Sequence, residues 1–303
     1  MTLSMKPLDW LLLITLSFIW GGSFYYAEIA LREVTPLVVV WGRVGGAALI
    51  LLLLLRLMGL ALPKNIKIWR AFFVMGFLNN VVPFTLIVWG QTEITGSLAS
   101  IFNATTPLFT IILAQFLTHD EKIGRSKLIG ILVGFFGVIL MVGFDALDGI
   151  SATLWAQIAV LFAAVSYGCA AIWGRRFKDI NPMVTATGQV VSSSLVMTPI
   201  ALIYGFPNGY FVPSGEVLFA IGFMAFFCTV VAYILYFRIL TTSGATNLML
   251  VTFLIPLSAI LLGTLLLGER ITLDQLLGMI LILLALLIVD GRMLRNKYLK
   301  LKA

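Results

Sequence analysis

Long apolar runs alternate with short polar segments along the whole chain. Crossing roughly 30 Å of hydrocarbon takes about 20 helical residues, and ten runs are long enough to do so. Because the polar segments between them are short, neighbouring helices are expected to be antiparallel. The pattern predicts an all-α membrane protein with ten transmembrane helices. They are predicted at residues 9–30, 36–58, 68–90, 95–117, 126–144, 153–174, 182–204, 216–238, 245–267 and 272–291.

Composition also favours a chain embedded in a lipid bilayer. Of its 303 residues, 61% are hydrophobic and 11% are charged, whereas a soluble domain averages about 25% charged residues. Cys169 and Cys228 fall inside apolar runs and are expected to pack as small apolar residues. The single histidine, His119, lies in a polar loop. We therefore expect no metal site and no cofactor.

The positive charges predict an orientation, since cytoplasmic loops of membrane proteins are rich in lysine and arginine. Placing both termini in the cytoplasm puts 17 of the 20 basic residues on that side. This distribution accounts for the net charge of +7 without a nucleic-acid partner. The cytoplasmic set comprises Lys6, Arg56, Lys64, Lys67, Arg70, Lys122, Arg125, Lys127, Arg175, Arg176, Lys178, Arg238, Arg292, Arg295, Lys297, Lys300 and Lys302.

An internal repeat divides the chain into two related halves. The stretch from Thr95 to Gly143 has a counterpart that begins at Ser243, and Trp20-Gly21 corresponds to Tyr167-Gly168. Each half, at 1–147 and 148–303, holds five of the predicted spans. Because five is odd, the second half must enter the bilayer from the opposite side. The sequence thus predicts two five-helix inverted repeats, an arrangement typical of alternating access around a midplane site.

Two sets of residues resemble a known family. Phe18-Ile19-Trp20-Gly21-Gly22-Ser23-Phe24 resembles the W-G-x-x-F signature of the drug/metabolite transporter superfamily. A duplicated proline, glutamate and glycine pattern resembles its EamA module, which occurs twice in ten-span members. That pattern lies at Pro107, Glu121 and Gly130, and again at Pro256, Glu269 and Gly278.

The resemblance implies efflux of small metabolites across a bacterial inner membrane. It also implies a central cavity lined by the first four helices of each half, with the fifth and tenth helices outside it. Within the superfamily, the chain looks most like the ten-span bacterial exporters of amino acids, including the aromatic amino acid type.

Aromatic residues at mid-span are candidates for the cavity wall. Tryptophan usually marks the membrane interface, but Trp20 falls near the middle of its span, as does its repeat mate Tyr167. Each is followed by a glycine, which permits close approach of another helix. The pair either lines the cavity from opposite sides of the pseudo-two-fold axis or fills an interhelical packing site.

Three mid-span prolines are predicted hinges. A proline removes a backbone donor and leaves the carbonyl four residues earlier without its helical partner. Here that carbonyl belongs in each case to a polar residue, so it either faces the substrate or is satisfied by neighbouring hydroxyl groups. The pairs are Pro83 with Asn79, Pro107 with Asn103 and Pro256 with Thr252.

Other polar residues at membrane depth complete the predicted binding site. Asn79 and Asn80 form the most polar mid-depth pair, and Gln189 lies similarly in the seventh span. An amide there either pairs with a substrate ammonium or carboxylate, or joins two helices. Arg43 is the one charge well inside a span. It either binds an anionic substrate group, holds a gate, or reaches the outer headgroups or Glu28.

The predicted function is a membrane transporter that exports small metabolites, with amino acids favoured, by alternating access. A mildly polar, aromatic midplane suits a zwitterion with an apolar side chain. A multidrug exporter of lipophilic cations is the alternative, although it would want an anionic residue in the cavity. An intramembrane enzyme would need a cluster of nucleophile, base or metal ligands at membrane depth, and the spans offer none. We therefore expect no enzymatic activity.

The remaining expectations concern coupling and partners. No aspartate or glutamate lies at mid-membrane, since Glu28 falls near the outer end of its span. This favours facilitated transport or an uncommon coupling scheme, and Glu269 is expected to be a helix-terminal scaffold residue. The expected partners are the small-molecule substrate and the lipid bilayer. A monomer is one arrangement that the sequence allows.

Overall fold

A computed structural model describes residues 6–118, 123–142, 151–207 and 209–290. These residues form ten helical spans and no strand. His119, Glu121, Lys122 and the basic residues from 292 to 302 lie outside them. The spans are α1 Pro7–Leu31, α2 Pro36–Leu57, α3 Ile66–Gly90, α4 Gly96–Leu117, α5 Arg125–Val142, α6 Ala152–Phe177, α7 Pro182–Tyr204, α8 Gly215–Ser243, α9 Ala245–Leu248 with Val251–Leu267, and α10 Leu273–Asp290.

The hydropathy pattern placed all ten spans, and the chain is a multi-pass membrane protein. Eight helices have the length and composition of a full bilayer crossing, and Val251–Leu267 and Leu273–Val289 are shorter apolar helices. One boundary differs clearly, because α8 continues five residues past the predicted end at Arg238 to Ser243. No residue between Ile239 and Ser243 breaks a helix. The helix stops where Gly244 takes a φ of 80°, which only glycine adopts easily.

Corresponding spans of the two halves carry similar irregularities. The third span of each half contains a π-helical segment, Phe77–Val81 in α3 and Phe226–Val231 in α8. The fourth span of each half is interrupted, between Asn103 and Thr106 in α4 and between Leu248 and Val251 in α9. These shared positions support the prediction of an inverted repeat.

The packing of the helices has the same symmetry. α1 packs on α8 and α9, and its counterpart α6 packs on α3 and α4. α2 packs on its own counterpart α7, and α5 on its counterpart α10. A two-fold relation between the halves would exchange these contacts in pairs, so the contacts also support the predicted repeat.

α5 and α10 form a tightly packed pair at the edge of the bundle. A Cβ added to Gly137 would lie 2.8 Å from the carbonyl oxygen of Gly278. A Cβ added to Gly130 would lie 2.9 Å from the carbonyl oxygen of Ala285. Small residues therefore let the two backbones meet. This leaves the other eight helices to surround the centre.

Candidate functional site

A cavity of about 610 Å³ lies between the eight inner helices. Residues of α1–α4 and α6–α9 line it, and none of its lining residues comes from α5 or α10. Its volume falls in the range of about 300–1,000 Å³ typical of small-molecule sites. Its wall is mainly apolar and aromatic, with a few amides, hydroxyls and one arginine at its centre.

The cavity reaches only one end of the bundle. Residues of the α6–α7 connection, including Lys178 and Ile180, belong to its wall. At the opposite end the wall stops at Gln91, and the described loop residues beyond it do not line the cavity. By the predicted orientation, the open end faces the cytoplasm.

Seven of the eight predicted site residues line this cavity. The structure brings them together from seven helices, although they are widely spaced in sequence. They are Trp20, Arg43, Asn79, Asn103, Tyr167, Gln189 and Thr252.

The eighth residue, Asn80, lies behind the cavity wall. Its side chain is 0% exposed and its Nδ2 donates to Ser193 Oγ of α7 at 2.9 Å. Its Oδ1 accepts a hydrogen bond from the Tyr233 hydroxyl at 3.3 Å. The sequence left two roles open for Asn80, substrate binding or the joining of two helices. This geometry matches the joining of helices.

Arg43 is held on the wall by neutral groups. Its Nε donates to Thr229 Oγ1 at 3.1 Å, and its Nη1 donates to Ser23 Oγ at 2.8 Å. Its Nη2 donates to the Cys228 carbonyl at 3.3 Å. The side chain is 8% exposed, so it does not reach the headgroups. Among the described residues it forms no ion pair, with Glu28 or any other carboxylate.

These contacts leave some of the hydrogen-bond donors of Arg43 unused. A guanidinium has five N–H donors in a planar fork, and the contacts above use three of them. A buried charge normally requires an opposite charge or a full set of hydrogen bonds. Arg43 therefore presents a positive charge and spare donors to whatever enters the cavity.

An amide and hydroxyl network lies on the same wall. Asn79 Nδ2 donates to Gln189 Oε1 at 3.3 Å and to the Tyr233 hydroxyl at 3.4 Å. The π-helical segment Phe77–Val81 contains both asparagines, so Asn79 lines the cavity while Asn80 is fully buried. The network links α3, α7 and α8 across the two halves.

Asn103 and Thr252 lie beside the interruptions of α4 and α9. The Asn103 carbonyl accepts a hydrogen bond from Thr106 Oγ1 at 2.7 Å, so a neighbouring hydroxyl satisfies it. Its side-chain Oδ1, in contrast, is buried without a hydrogen-bond partner. The Thr252 hydroxyl donates to the Met249 carbonyl at 2.7 Å. Asn103 thus places a buried, unpartnered acceptor at the cavity wall.

The aromatic side chains form one face of the cavity. Trp20 of α1 and Tyr236 of α8 pack with ring centroids 6.1 Å apart at an interplanar angle of 48°. Tyr167 of α6 and Tyr233 of α8 also line the cavity. Apolar faces with polar tips suit a substrate that has both apolar and charged parts.

The predicted hinge prolines lie at the irregular points of the helices. Pro83 lies two residues beyond the π-helical segment of α3, and Pro107 lies in the first turn of the second part of α4. Pro256 lies inside Val251–Leu262 and is one of the cavity-lining residues. Movement at these positions stays a prediction.

Sequence reasoning missed several residues of the site. Ser23, Thr229 and the Cys228 carbonyl, which hold Arg43, carry no distinctive local pattern. Tyr233 and Tyr236 were detectable, because tyrosine at mid-span is unusual away from the interface. A contact between Glu28 and Glu269, beyond the closed end of the cavity, was also missed.

The chain is similar to known proteins both in family and in fold. The EamA-like transporter family model matches the chain twice, over residues 9–143 and 154–289. A solved crystal structure with 15% sequence identity superposes with a TM-score of 0.69, covering 97% of this chain and 99% of the other. At that identity it shows similarity of fold alone.

Several relatives align over nearly their whole length. The uncharacterized transporter YoaV of Bacillus subtilis is 23% identical, over 89% of this chain and 92% of the relative. The uncharacterized inner membrane transporter YedA of Escherichia coli is 24% identical, over 91% and 89%. The protein PecM of Dickeya dadantii is 27% identical, over 94% and 93%. None of these names specifies a substrate, so the aromatic amino acid type stays a prediction.

Proposed function

Because the chain belongs to the EamA-like transporter family, we propose that it exports small metabolites, with amino acids favoured, by alternating access. The central cavity is the transport site in this proposal. The two matched stretches support a division into repeats at 1–147 and 148–303 that move relative to each other.

One observation carries the choice of substrate: Arg43 faces the cavity with spare donors and no carboxylate partner among the described residues. A planar guanidinium fork matches a carboxylate geometrically. A substrate carboxylate would therefore supply the missing counter-charge.

The rest of the cavity accommodates the other parts of an amino acid. Asn103 Oδ1 is an acceptor without a partner, which suits a substrate ammonium group. The faces of Trp20 and Tyr236 suit an apolar or aromatic side chain. A zwitterion with an apolar side chain would contact Arg43, Asn103 and the aromatic faces together.

The positive charge of Arg43 disfavours the alternative substrate class, lipophilic cations. A buried arginine without a counter-charge repels a cation, and none of the described residues that line the cavity is an aspartate or glutamate. The names of the relatives YoaV and YedA point to transport rather than to catalysis.

We further propose a bacterial inner membrane location with both termini in the cytoplasm. The basic loops support this orientation. The cavity then opens to the cytoplasm, which is the loading state of an exporter.

Transport by purified protein in liposomes tests this function. Counterflow of radiolabelled leucine, phenylalanine and threonine is the suitable assay, because exchange needs no coupling ion. We expect uptake of at least one amino acid into liposomes preloaded with the same compound. Uptake of lipophilic cations, with no exchange of any amino acid, would favour the alternative. No exchange of any metabolite would reject the proposal.

A further inference from the structure

Two carboxyl groups from different halves of the chain meet beyond the closed end of the cavity. Glu28 lies in the last turns of α1, and Glu269 follows α9. The two carboxyl groups accept hydrogen bonds from the consecutive backbone N–H groups of Gly96 and Ser97, which brings them side by side. Like charges in contact repel each other, so this arrangement needs a physical cause.

The first turn of α4 holds both carboxyl groups. Gly96 N donates to Glu28 Oε2 at 3.3 Å, and Ser97 N donates to Glu269 Oε2 at 3.2 Å. Gly263 of α9 also packs against this turn of α4, since a Cβ at Gly263 would lie 2.6 Å from Ser97 Oγ. Each carboxyl thus uses one oxygen on a backbone donor, and the pair joins α1, α4 and α9.

Three further polar atoms of this cluster have no hydrogen-bond partner. Glu269 Oε1, Gln91 Oε1 and Ser97 Oγ are buried without hydrogen-bond partners. Gln91 is 7% exposed and Ser97 is 3% exposed. A Cβ on Gly96 would lie 3.1 Å from Gln91 Nε2 and 3.3 Å from Glu28 Oε2, so Gln91 is directed into the cluster. Ser97 Oγ carries its own hydrogen, whereas Glu269 Oε1 and Gln91 Oε1 are acceptors without a donor, so a proton or cation would complete the cluster.

The charged groups around Glu28 and Glu269 do not neutralise the negative charge of the two carboxylates. Among the described residues, the charged groups that face Glu28 are Glu269 and, on its own helix, Arg32. Arg32 is already engaged with Glu216, at 3.1 Å, on the exposed surface. α3 and α4 contribute the neutral Gln91 and Ser97.

We propose that Glu28 and Glu269 form a proton-binding site in which one shared proton keeps this end of the cavity closed. The proton supplies the donor that the two carboxyl groups lack, and it halves their charge. When it leaves to water, both carboxylates are ionised, they repel each other, and α1 and α9 separate. No covalent bond other than that of the proton is made or broken.

This site gives the transporter a pH response without a carboxylate in the cavity. As a step of the transport cycle it rests on the proposed function, but its chemistry can be measured without a substrate. With one proton, the ratio of closed to open molecules changes by at most about tenfold per pH unit. Acidifying the solution at the closed end should slow transport.

Infrared spectroscopy of the full-length protein in lipid nanodiscs tests the proton directly. At about pH 7 an isolated glutamate is ionised. We expect the carbonyl stretch of a protonated carboxyl group in the wild type and its loss in Glu28→Gln and Glu269→Gln. Glu216→Gln is the matched control, because it removes an exposed carboxylate on the same side, and it should retain the band. A band that survives in both variants would overturn the proposal.

A distance measurement tests the opening and does not depend on those variants. Spin labels at Glu33→Cys, just beyond α1, and Leu266→Cys, at the end of α9, both exposed positions, would be placed in a protein whose Cys169 and Cys228 are replaced by alanine. We expect the label distance to lengthen when the pH is raised. An unchanged distance would refute the gate, and a change that follows sodium rather than pH would replace the proton by a sodium ion.

The two proposals fail separately. If no metabolite is exchanged but the infrared band and the distance behave as expected, the proton site stands and the transport proposal falls. If amino acids are exchanged but Glu28→Gln keeps the wild-type response to pH, the proton site falls and the transport function stands.

Discussion

The guanidinium of Arg43 stacks on the ring of Phe84, with Cζ 3.9 Å from the ring centroid. This contact and three hydrogen bonds orient the side chain before any substrate arrives. A charge held in this way needs little rearrangement to bind a carboxylate.

Arg43→Gln should therefore weaken transport of amino acids strongly. A hydrogen bond to a charged group contributes about 1.5–3 kcal/mol, so KM should rise at least about tenfold. Arg43→Lys keeps the charge but loses the planar fork, and should recover only part of the affinity. Counterflow at varied substrate concentration measures this. An unchanged KM in Arg43→Gln would show that the carboxylate binds elsewhere.

Asn79 and Asn80 are neighbours with different expected roles. Asn79→Ala should raise KM with little effect on stability, because Asn79 lines the cavity. Asn80→Ala should lower stability by about 1–3 kcal/mol, because it removes the buried hydrogen bonds that Asn80 makes with Ser193 Oγ and the Tyr233 hydroxyl. Thermal unfolding in detergent and counterflow, measured on both variants, separate the two effects. Equal behaviour of the variants would contradict this assignment.

Trp20→Ala should impair transport through the loss of the aromatic wall. Its ring packs against Tyr236 on the cavity face, so we expect KM for an aromatic or aliphatic amino acid to rise about tenfold. Trp155→Ala is the control, because that side chain is 53% exposed and does not line the cavity. Normal transport by both variants would mean that the substrate does not contact this wall.

Gly21→Ala should destabilise the contact between α1 and α9. A Cβ at this position would lie 2.8 Å from Ala259 N and would collide with Ser258 Oγ, which donates to the Ser17 carbonyl. Overpacking of this kind costs about 1–3 kcal/mol. Gly222→Ala provides the comparison, because a Cβ there meets no atom within 4 Å. We expect a lower unfolding temperature for Gly21→Ala alone.

The positions of the spans could be predicted because hydropathy is a local property. The cavity position of Trp20 and Asn79 also followed from local signals, namely an aromatic or an amide at mid-span. The neighbours of Arg43 could not be predicted, because they come from α1, α3 and α8 and depend on how the helices pack.

The meeting of Glu28 and Glu269 was invisible in the sequence for the same reason. Each residue by itself lies near the end of a helix, where a carboxylate is ordinary. Only the approach of α1 to α9 makes them a pair. Residues whose chemistry depends on a partner from the other half are the ones that one-dimensional patterns miss.

The π-helical segments of α3 and α8 affect how sequences of this kind should be aligned. A π-helical turn accommodates one more residue than an α-helical turn. Removing that residue would rotate the rest of the span by about 100°. A single misplaced gap within Phe77–Val81 would therefore assign lipid-facing positions to the cavity for the whole of the following helix, and specificity inferred from such an alignment would describe the wrong face of the protein.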